Sequence, residues 1–418
     1  MDDRKHWDTL STAWGLQGFR VGNVEIREEH GQRVKVVCLQ DRRREHVCSC
    51  GKRHRDVVAQ ETEPRRWRDC SLGDFVTFVE IEPYRVACCG GTRVEVFPWE
   101  APGHRMTRRF FERVAALCTR LTVQAVAKMF GLSWDTVARV DKKAIELALG
   151  GTTPSLAGVR FIGVDEVSRT GGHQYFTLVT DLESGRVVFV AEGKRTAALE
   201  QFFEALGPKG CKRIRIVVSD LGGGYLSAIA KYVPHARHVL DRFHIVQWLN
   251  EALSALRRRV FGGAPRDEVG RTLKAKKWML LRAHEALEHL HKLLLAELLR
   301  VNRPLCKAYL LKEQLRGVLH HPWRYLGALV KNLNAWCAAA VRSRIPEMAT
   351  VGRRLRPHLD KVVAGIHSGV KLGLVEAING KVALLRRDAR GYRVPDYFKL
   401  KIFQRCSLPE NPWAHVAL

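Results

Sequence analysis

The chain has 418 residues, and 70 Lys and Arg against 43 Asp and Glu give a formal charge of +27 and a pI of about 10.0. Such an excess repels itself on a folded protein unless a polyanion is a partner, so nucleic acid is expected first and an anionic membrane second. No apolar run approaches the roughly eighteen residues of a spanning helix and the opening MDDRKHW lacks an apolar core, which predicts a soluble, intracellular protein without membrane spans or signal peptide. The 11 Cys are an odd number, and Cys118, Cys306 and Cys337 stand alone in apolar helical patterns, so a reducing compartment is expected rather than a disulfide framework. This length predicts two to four domains.

Residues 1–100 alternate short β-rich runs (Val34–Cys38, Phe75–Glu82, Arg93–Phe97) with basic turns. Cys48 and Cys50 precede Gly51, and Cys88 and Cys89 precede Gly90. Two Cys-rich turns about forty residues apart suit tetrahedral zinc, which takes four soft ligands from two turns. The spacing is C-x-C and C-C rather than two C-x-x-C, so two readings stand: a zinc-ribbon-like module, with His46 or His54 as substitute ligands, or a metal-free β remnant. Cys70 lies between the pairs. Arg42–Arg44, Lys52, Arg53, Arg65, Arg66 and Arg68 suit phosphates or a solvated face.

Residues 101–150 change to helical period. Phe110, Val114, Leu117 and Leu121 form one apolar stripe. In LTVQAVAKMFGLSWDTVARV, residues 121–140, Thr122 is placed to cap one helix, Gly131 to make a tight turn and Ser133 to cap a second helix with Val137 and Val140 inward. This is a helix-turn-helix pattern, whose second helix would show Trp134, Asp135, Thr136 and Arg139 to a DNA major groove. A helical hairpin that only packs is the alternative.

After Gly150-Gly151 the chain turns β-rich again, and residues 151–255 are expected to form a catalytic core. Strands are predicted at Val159–Asp165, Gln174–Thr180 and Arg186–Ala191, then a helix over Thr196–Leu206. A strand over Ile214–Ser219 ends at Asp220; a helix to about Tyr232 and a strand at Arg237–Leu240 ending at Asp241 follow. The first strand carries Asp165 and Glu166 near its end, bounded by Thr170-Gly171-Gly172, and neighbouring strand residues face opposite ways, so only one acid can enter a given site. Three antiparallel strands, a helix, a strand, a helix and a strand is the order of the RNase H-like fold, in which the first and fourth strands lie parallel and adjacent. Asp165 and Asp220 would then meet, and a divalent cation would offset their repulsion. Asp241 suits an N-cap or the site; His244 suits the site edge, the DNA or a plain helix position. Gly222-Gly223-Gly224 would let backbone approach a phosphate.

The motifs GVDEVS, SDLGGGY, DRFHIVQWLNEAL, KAYLLKEQLR and GLVEAINGKVALLRRDARGYR, together with the SWDTV of the helix-turn-helix and the Cys-rich segment ending at Pro98-Trp99, resemble the bacterial insertion-sequence transposases of the ISL-three family over nearly the whole chain. The resemblance implies a DDE enzyme that binds terminal inverted repeats and cleaves and transfers DNA strands, located in the bacterial cytoplasm at the nucleoid. It places catalytic, metal-binding acids on Asp165, Asp220 and Glu376, selecting Asp165 over Glu166, and implies two Mg²⁺ (or Mn²⁺) ions. The N-terminal Cys pairs depart from the family pattern. The contrasting expectation is a catalytically inactive or repurposed transposase-derived DNA-binding regulator.

From the residues alone, Leu374, Val375, Ile378, Val382 and Leu385 make a helical stripe, and Glu376 lies beside it, either lowered into the site or on an exposed face. Residues 256–365 read as an all-α insertion that would follow DNA through Arg257–Arg259, Lys274–Lys277 and Arg353–Arg356, bind a second subunit, or only support Glu376. Residues 366–418 hold the Glu-bearing helix and a basic tail in which Arg386, Arg387 and Arg390 would meet phosphates. Joining two DNA ends requires at least a homodimer in the DNA complex. The expected fold is multidomain α+β throughout.

Overall fold

The computed structural model describes residues 11, 14–16, 18–169, 174–193, 196–220, 223–261, 277–370, 373–408 and 412–413. The predicted turn at Thr170–Gly172, Gly222 and the basic residues Lys274–Lys276 lie outside them. The chain divides into two units, residues 1–152 with 408–418, and residues 153–407.

In the first unit, strands β1 (Phe19–Glu29), β2 (Gln32–Asp41), β6 (Arg65–Leu72) and β7 (Phe75–Ile81) form a sheet in the order β1-β2-β7-β6, with β2 and β7 parallel. The β1/β2 turn is His30-Gly31, both at positive φ, the geometry that matches strand twist in a two-residue hairpin. Under the sheet, Phe97 and Trp99 stack with centroids 4.9 Å apart and Trp67 meets both edge-on. Short strands β3 (His46–Val47) and β4 (Arg53–His54) pair with each other, while β5 (Ala59–Gln60), β8 (Tyr84–Cys88) and β9 (Gly91–Val94) form a small sheet.

Three helices follow. Thr107 caps α1 (Arg108–Cys118), Thr122 caps α2 (Val123–Phe130), Gly131 ends α2 in the left-handed region, and Ser133 caps α3 (Trp134–Leu149). Phe110, Val114, Val126, Ala127, Val137 and Val140 share one core. Leu121, placed in the apolar stripe by spacing, is exposed instead, because α1 ends at Cys118 and the periodicity stops there. Buried Asp69 joins this bundle to β6: it accepts from Trp14 Nε1 (3.0 Å) and Thr107 Oγ1 (2.6 Å) and pairs with Arg109.

The second unit is built on a sheet of order β12-β11-β10-β13-β14, comprising β10 (Phe161–Ser168), β11 (Tyr175–Asp181), β12 (Arg186–Glu192), β13 (Ile216–Ser219) and β14 (Arg237–Leu240). The first three are antiparallel, whereas β10, β13 and β14 run parallel. Helix α4 (Thr196–Cys211), broken at Gly207 before Pro208, and α5 (Gly223–Tyr232) cover one face, where Ile162, Val164 and Val217 meet Leu199, Phe202 and Tyr225. The first strand does not end at Asp165 as the apolar run suggests. It continues to Ser168, because Asp165 to Ser168 keep their ladder with β11.

Helix α6 (Arg242–Phe261) leads into a helical body of α7 (Lys277–Leu281), α8 (His289–Val301), α9 (Arg303–His320), α10 (Leu326–Arg342), α11 (Pro346–Leu355) and α12 (Leu359–His367), which share a core including Leu253, Leu315, Leu333 and Met348. Apolar spacing over Trp323–Arg342 predicts one helix, but α10 begins only at Leu326; Trp323 donates from Nε1 to the Val318 carbonyl (2.8 Å). Some of the basic residues expected on DNA work internally. Arg259 pairs with Glu347 (2.8 Å), and the Arg354 guanidinium lies 3.8 Å from the centroid of the Trp248 ring. Helices α13 (Gly373–Asp388) and α14 (Pro395–Cys406) return the chain to the sheet: Phe398 packs on Phe176, and Ser407 Oγ donates to the Val187 carbonyl (2.5 Å).

Candidate active site and metal centre

The acids are set by strand register. Gly163 of β10 lies opposite Val218 of β13, and Ser219 opposite Leu240 of β14. Continued by two residues and by one, these registers set Asp165, Asp220 and Asp241 level, and level residues of parallel strands point to the same face. Beyond Gly163 the pairing of β10 with β13 stops, so the carboxylates sit where the sheet opens. Asp165 and Glu166 divide between the faces. Glu166 accepts from Tyr225 Oη (2.9 Å) on α5, and Asp165 accepts from Asn379 Nδ2 (2.5 Å) on α13.

Helix α13 reaches Asp165 because residue 163 is glycine. A Cβ there would lie 2.6 Å from Val375 Cγ2 and 2.9 Å from Leu182 Cδ2, so any side chain would push the helix off the sheet. Val375, Ile378 and Val382 are buried along the inner face of α13. Glu376 is next to Val375 on the exposed flank of the first turn, and Asn379 is three residues on, on the same side. Arg386, further along, donates from Nη1 to the Ser168 carbonyl (2.7 Å) and so ties α13 to the end of β10.

Two of these carboxyls are held above their usual range. Burial holds the Asp165 carboxyl above its usual range and the charge of Asp220 adds to this, against the Glu166 amide, His244 and Asn379. Asp241, 5% exposed, is likewise raised first by burial; the Phe243 amide (2.9 Å) and His244 oppose, and the charge of Glu376 adds. Asp241 therefore caps α6 and also faces Glu376. His244 Nε2 lies 4.0 Å from Asp165 Oδ1. The donor set is oxygen-rich, which fits hard divalent cations such as Mg²⁺.

Two contacts were not legible in sequence. Asn379 bonds Asp165 directly; its only signal was its place three residues after Glu376. Ser219 Oγ donates to the Asp220 carbonyl (2.9 Å) and receives from His238 Nε2 (2.9 Å), a relay that fixes the backbone at Asp220. Burial and nearby Lys361 push His238 down to about 4.

In the first unit, the sulfurs of Cys48, Cys50, Cys88 and Cys89 lie within 4.8 Å of one another, with Cys50 to Cys88 at 3.5 Å and Cys88 to Cys89 at 3.6 Å. Ligands at 2.3 Å on a tetrahedral zinc stand about 3.8 Å apart, so the cluster fits that ion despite its irregular spacing. Positive φ at Cys89, Gly51 and Gly90 turns each pair inward. A hydrogen bond from the Lys52 backbone brings the Cys50 thiol down to about 6, whereas burial raises Cys88 to about 12. His46 is not among these ligands: it bonds Glu95 Oε2 (3.0 Å), while Arg43 bridges Glu95 and Asp41.

On α3, Trp134, Asp135 and Arg139 are exposed and Thr136 is half-buried, with Arg139 reaching back to the Asp135 carbonyl (3.4 Å). Arg387 and Arg390 are exposed beyond Arg386.

A family profile described as "Transposase" matches residues 162–402, and one described as "Helix-turn-helix domain of transposase family ISL3" matches residues 95–145. The chain is 31% identical over 418 residues to the transposase for insertion sequence element IS1001 of Bordetella parapertussis, covering 98% of this chain and 100% of that one. It is also 31% identical over 355 residues to the transposase for insertion sequence element IS1557 of Mycobacterium tuberculosis, covering 79% of each.

Proposed function

The chain belongs to the ISL3 family of insertion-sequence transposases, and on that premise we propose that residues 153–407 hold an RNase H-like DDE active site in which Asp165, Asp220 and Glu376 are the catalytic acids. The observation that carries this is the docking of α13: Gly163 admits Val375, Asn379 bonds Asp165, and the charge of Glu376 acts on Asp241, which stands level with Asp165 and Asp220. The reaction is hydrolysis of a phosphodiester at an element end, in which water attacks phosphorus and the 3′-hydroxyl leaves, followed by attack of that 3′-hydroxyl on a phosphodiester of target DNA, which displaces the target strand's own 3′-hydroxyl.

Asp165, Asp220 and Glu376 would hold two Mg²⁺ or Mn²⁺ ions, which when bound offset charge on the attacking and leaving oxygens. Asn379 fixes the orientation of Asp165, and the His238–Ser219 relay fixes the main chain at Asp220. Asp241, capping α6, and His244 border the acids and set the position of that helix. Trp134, Asp135, Thr136 and Arg139 read the terminal repeats, while Arg387 and Arg390 meet phosphates. Arg386 serves first as a tether to Ser168. The four cysteines hold one structural zinc. Two copies at least are needed to bring two ends together.

The test is nicking and strand transfer on element-end DNA in Mg²⁺ and in EDTA. Asp165→Asn, Asp220→Asn and Glu376→Gln should each lower both steps by about a thousandfold while duplex affinity stays within about twofold. Wild-type rates in any of the three would remove that residue from the assignment.

A further inference from the structure

Capping α6 accounts for one oxygen of Asp241 and leaves the other without a role. Oδ1 accepts from the Phe243 amide (2.9 Å), while no hydrogen-bond donor among the described residues meets Oδ2. The residue is 5% exposed, so little water reaches this carboxylate. A cap needs an acceptor and not a charge, since Ser, Thr and Asn cap helices much as Asp does. A buried carboxylate without a counter-ion is costly. Arg242, the neighbouring cation, is exposed and makes no ion pair with Asp241 among the described residues. The imidazole of His244 is shared with Asp165, whose Oδ1 lies 4.0 Å from its Nε2, and the charge of Glu376 works against Asp241.

Strand register sets this carboxylate in the row of acids. The Asp241 amide still donates to the Ser219 carbonyl (3.3 Å), so β14 stays paired with β13 one step beyond Leu240, and the Asp241 backbone stands about one strand spacing, roughly 4.8 Å, from that of Asp220. Asp220 is thus flanked by an acid on each side, Asp165 on β10 and Asp241 after β14. A middle acid with one on either side suits two cations about 3.5 to 4 Å apart. We propose that Asp241 is a fourth carboxylate ligand of the metal centre, holding a divalent cation together with Glu376 while Oδ1 continues to cap α6. The inference rests on the transposase reading, which supplies the divalent ions, and adds a ligand that joins the start of α6 to the metal centre.

The test is calorimetric titration of the full, DNA-free chain with Mn²⁺, alongside its melting temperature in EDTA. The unaltered protein should take up two Mn²⁺. Asp241→Asn and Asp241→Ser keep a capping acceptor and remove the charge; each should weaken one of the two ions by at least about tenfold and melt no lower than the unaltered protein in EDTA. Both ions bound unchanged in these variants, while Asp165→Asn loses one, is the result a mere cap gives, and it overturns the proposal while the site assignment stands. Weakened binding accompanied by a lowered melting temperature in EDTA marks lost structure and overturns it too. Two ions held as tightly by Asp165→Asn, or none by the unaltered protein, would instead overturn the metal-centre reading beneath it.

Discussion

Substituting Gly163 by Ala tests how the site is assembled, since it changes no charged or polar side chain. The added Cβ would stand 2.6 Å from Val375 Cγ2 and 2.9 Å from Leu182 Cδ2, nearly 1 Å inside the roughly 3.5 Å of ordinary carbon contact. Leu182 has rotamers to yield, but Val375 is β-branched and in a helix is confined at χ1, so α13 itself must retreat. Overpacking of this kind costs about 1 to 3 kcal/mol, reduced by the roughly 0.5 to 1 kcal/mol that Ala recovers over Gly in a strand. A net loss of about 1 to 2 kcal/mol in thermal unfolding is expected. The larger effect falls on catalysis, because a displacement near 1 Å moves Glu376 and Asn379 together and costs about a hundredfold. Nicking should fall accordingly with duplex affinity unchanged. Adding Val375→Ala removes the clashing methyl and should restore most of the rate. A fully active Gly163→Ala, or a double variant no better than the single one, would show that α13 does not depend on this contact.

Burial raises the Asp165 carboxyl above its usual 3.8, so ionising it costs the folded state stability as pH rises through the folded pKa. Asp165→Asn should therefore raise the melting temperature in EDTA at pH 7 and abolish the further rise given by Mg²⁺; an unchanged or lower value in EDTA contradicts the electrostatics. His238 is held neutral, near 4 against the usual 6.5. The unfolded chain takes up its proton first, so stability should be lost as pH falls from about 6.5 to 4, and His238→Gln, which keeps a donor for Ser219, should flatten that limb by up to about 1.4 kcal/mol per pH unit. Metal analysis should find one zinc per chain. Cys88→Ser should lose it and lower the melting temperature of residues 1–100, while a metal-free preparation of equal stability would leave the four cysteines without a ligand.

Much was written locally. The caps at Thr122 and Ser133, the left-handed Gly131 and the strand at Arg237–Leu240 follow from capping chemistry and period, which depend on residues a few positions apart. The same local signals misplaced the end of the first strand, because an acid after an apolar run looks like a boundary when its ladder partner, Leu178, is not visible. Leu121 went wrong for the same reason: period does not say where a helix stops.

The sequence by itself determined the kinds of chemistry, with acids at the ends of β-rich runs, paired cysteines and an excess of positive charge. It also carried the family motifs that point to Asp165, Asp220 and Glu376. Tertiary structure decided which acid faces which way. Glu166 turns to Tyr225 and Asp165 to Asn379, 214 residues away, and a glycine whose backbone preference is unremarkable in sequence proves to be the gap that lets α13 in. It also brought four irregularly spaced cysteines within 4.8 Å. These outcomes depend on distances between segments far apart in the chain, and periodicity carries no information about them.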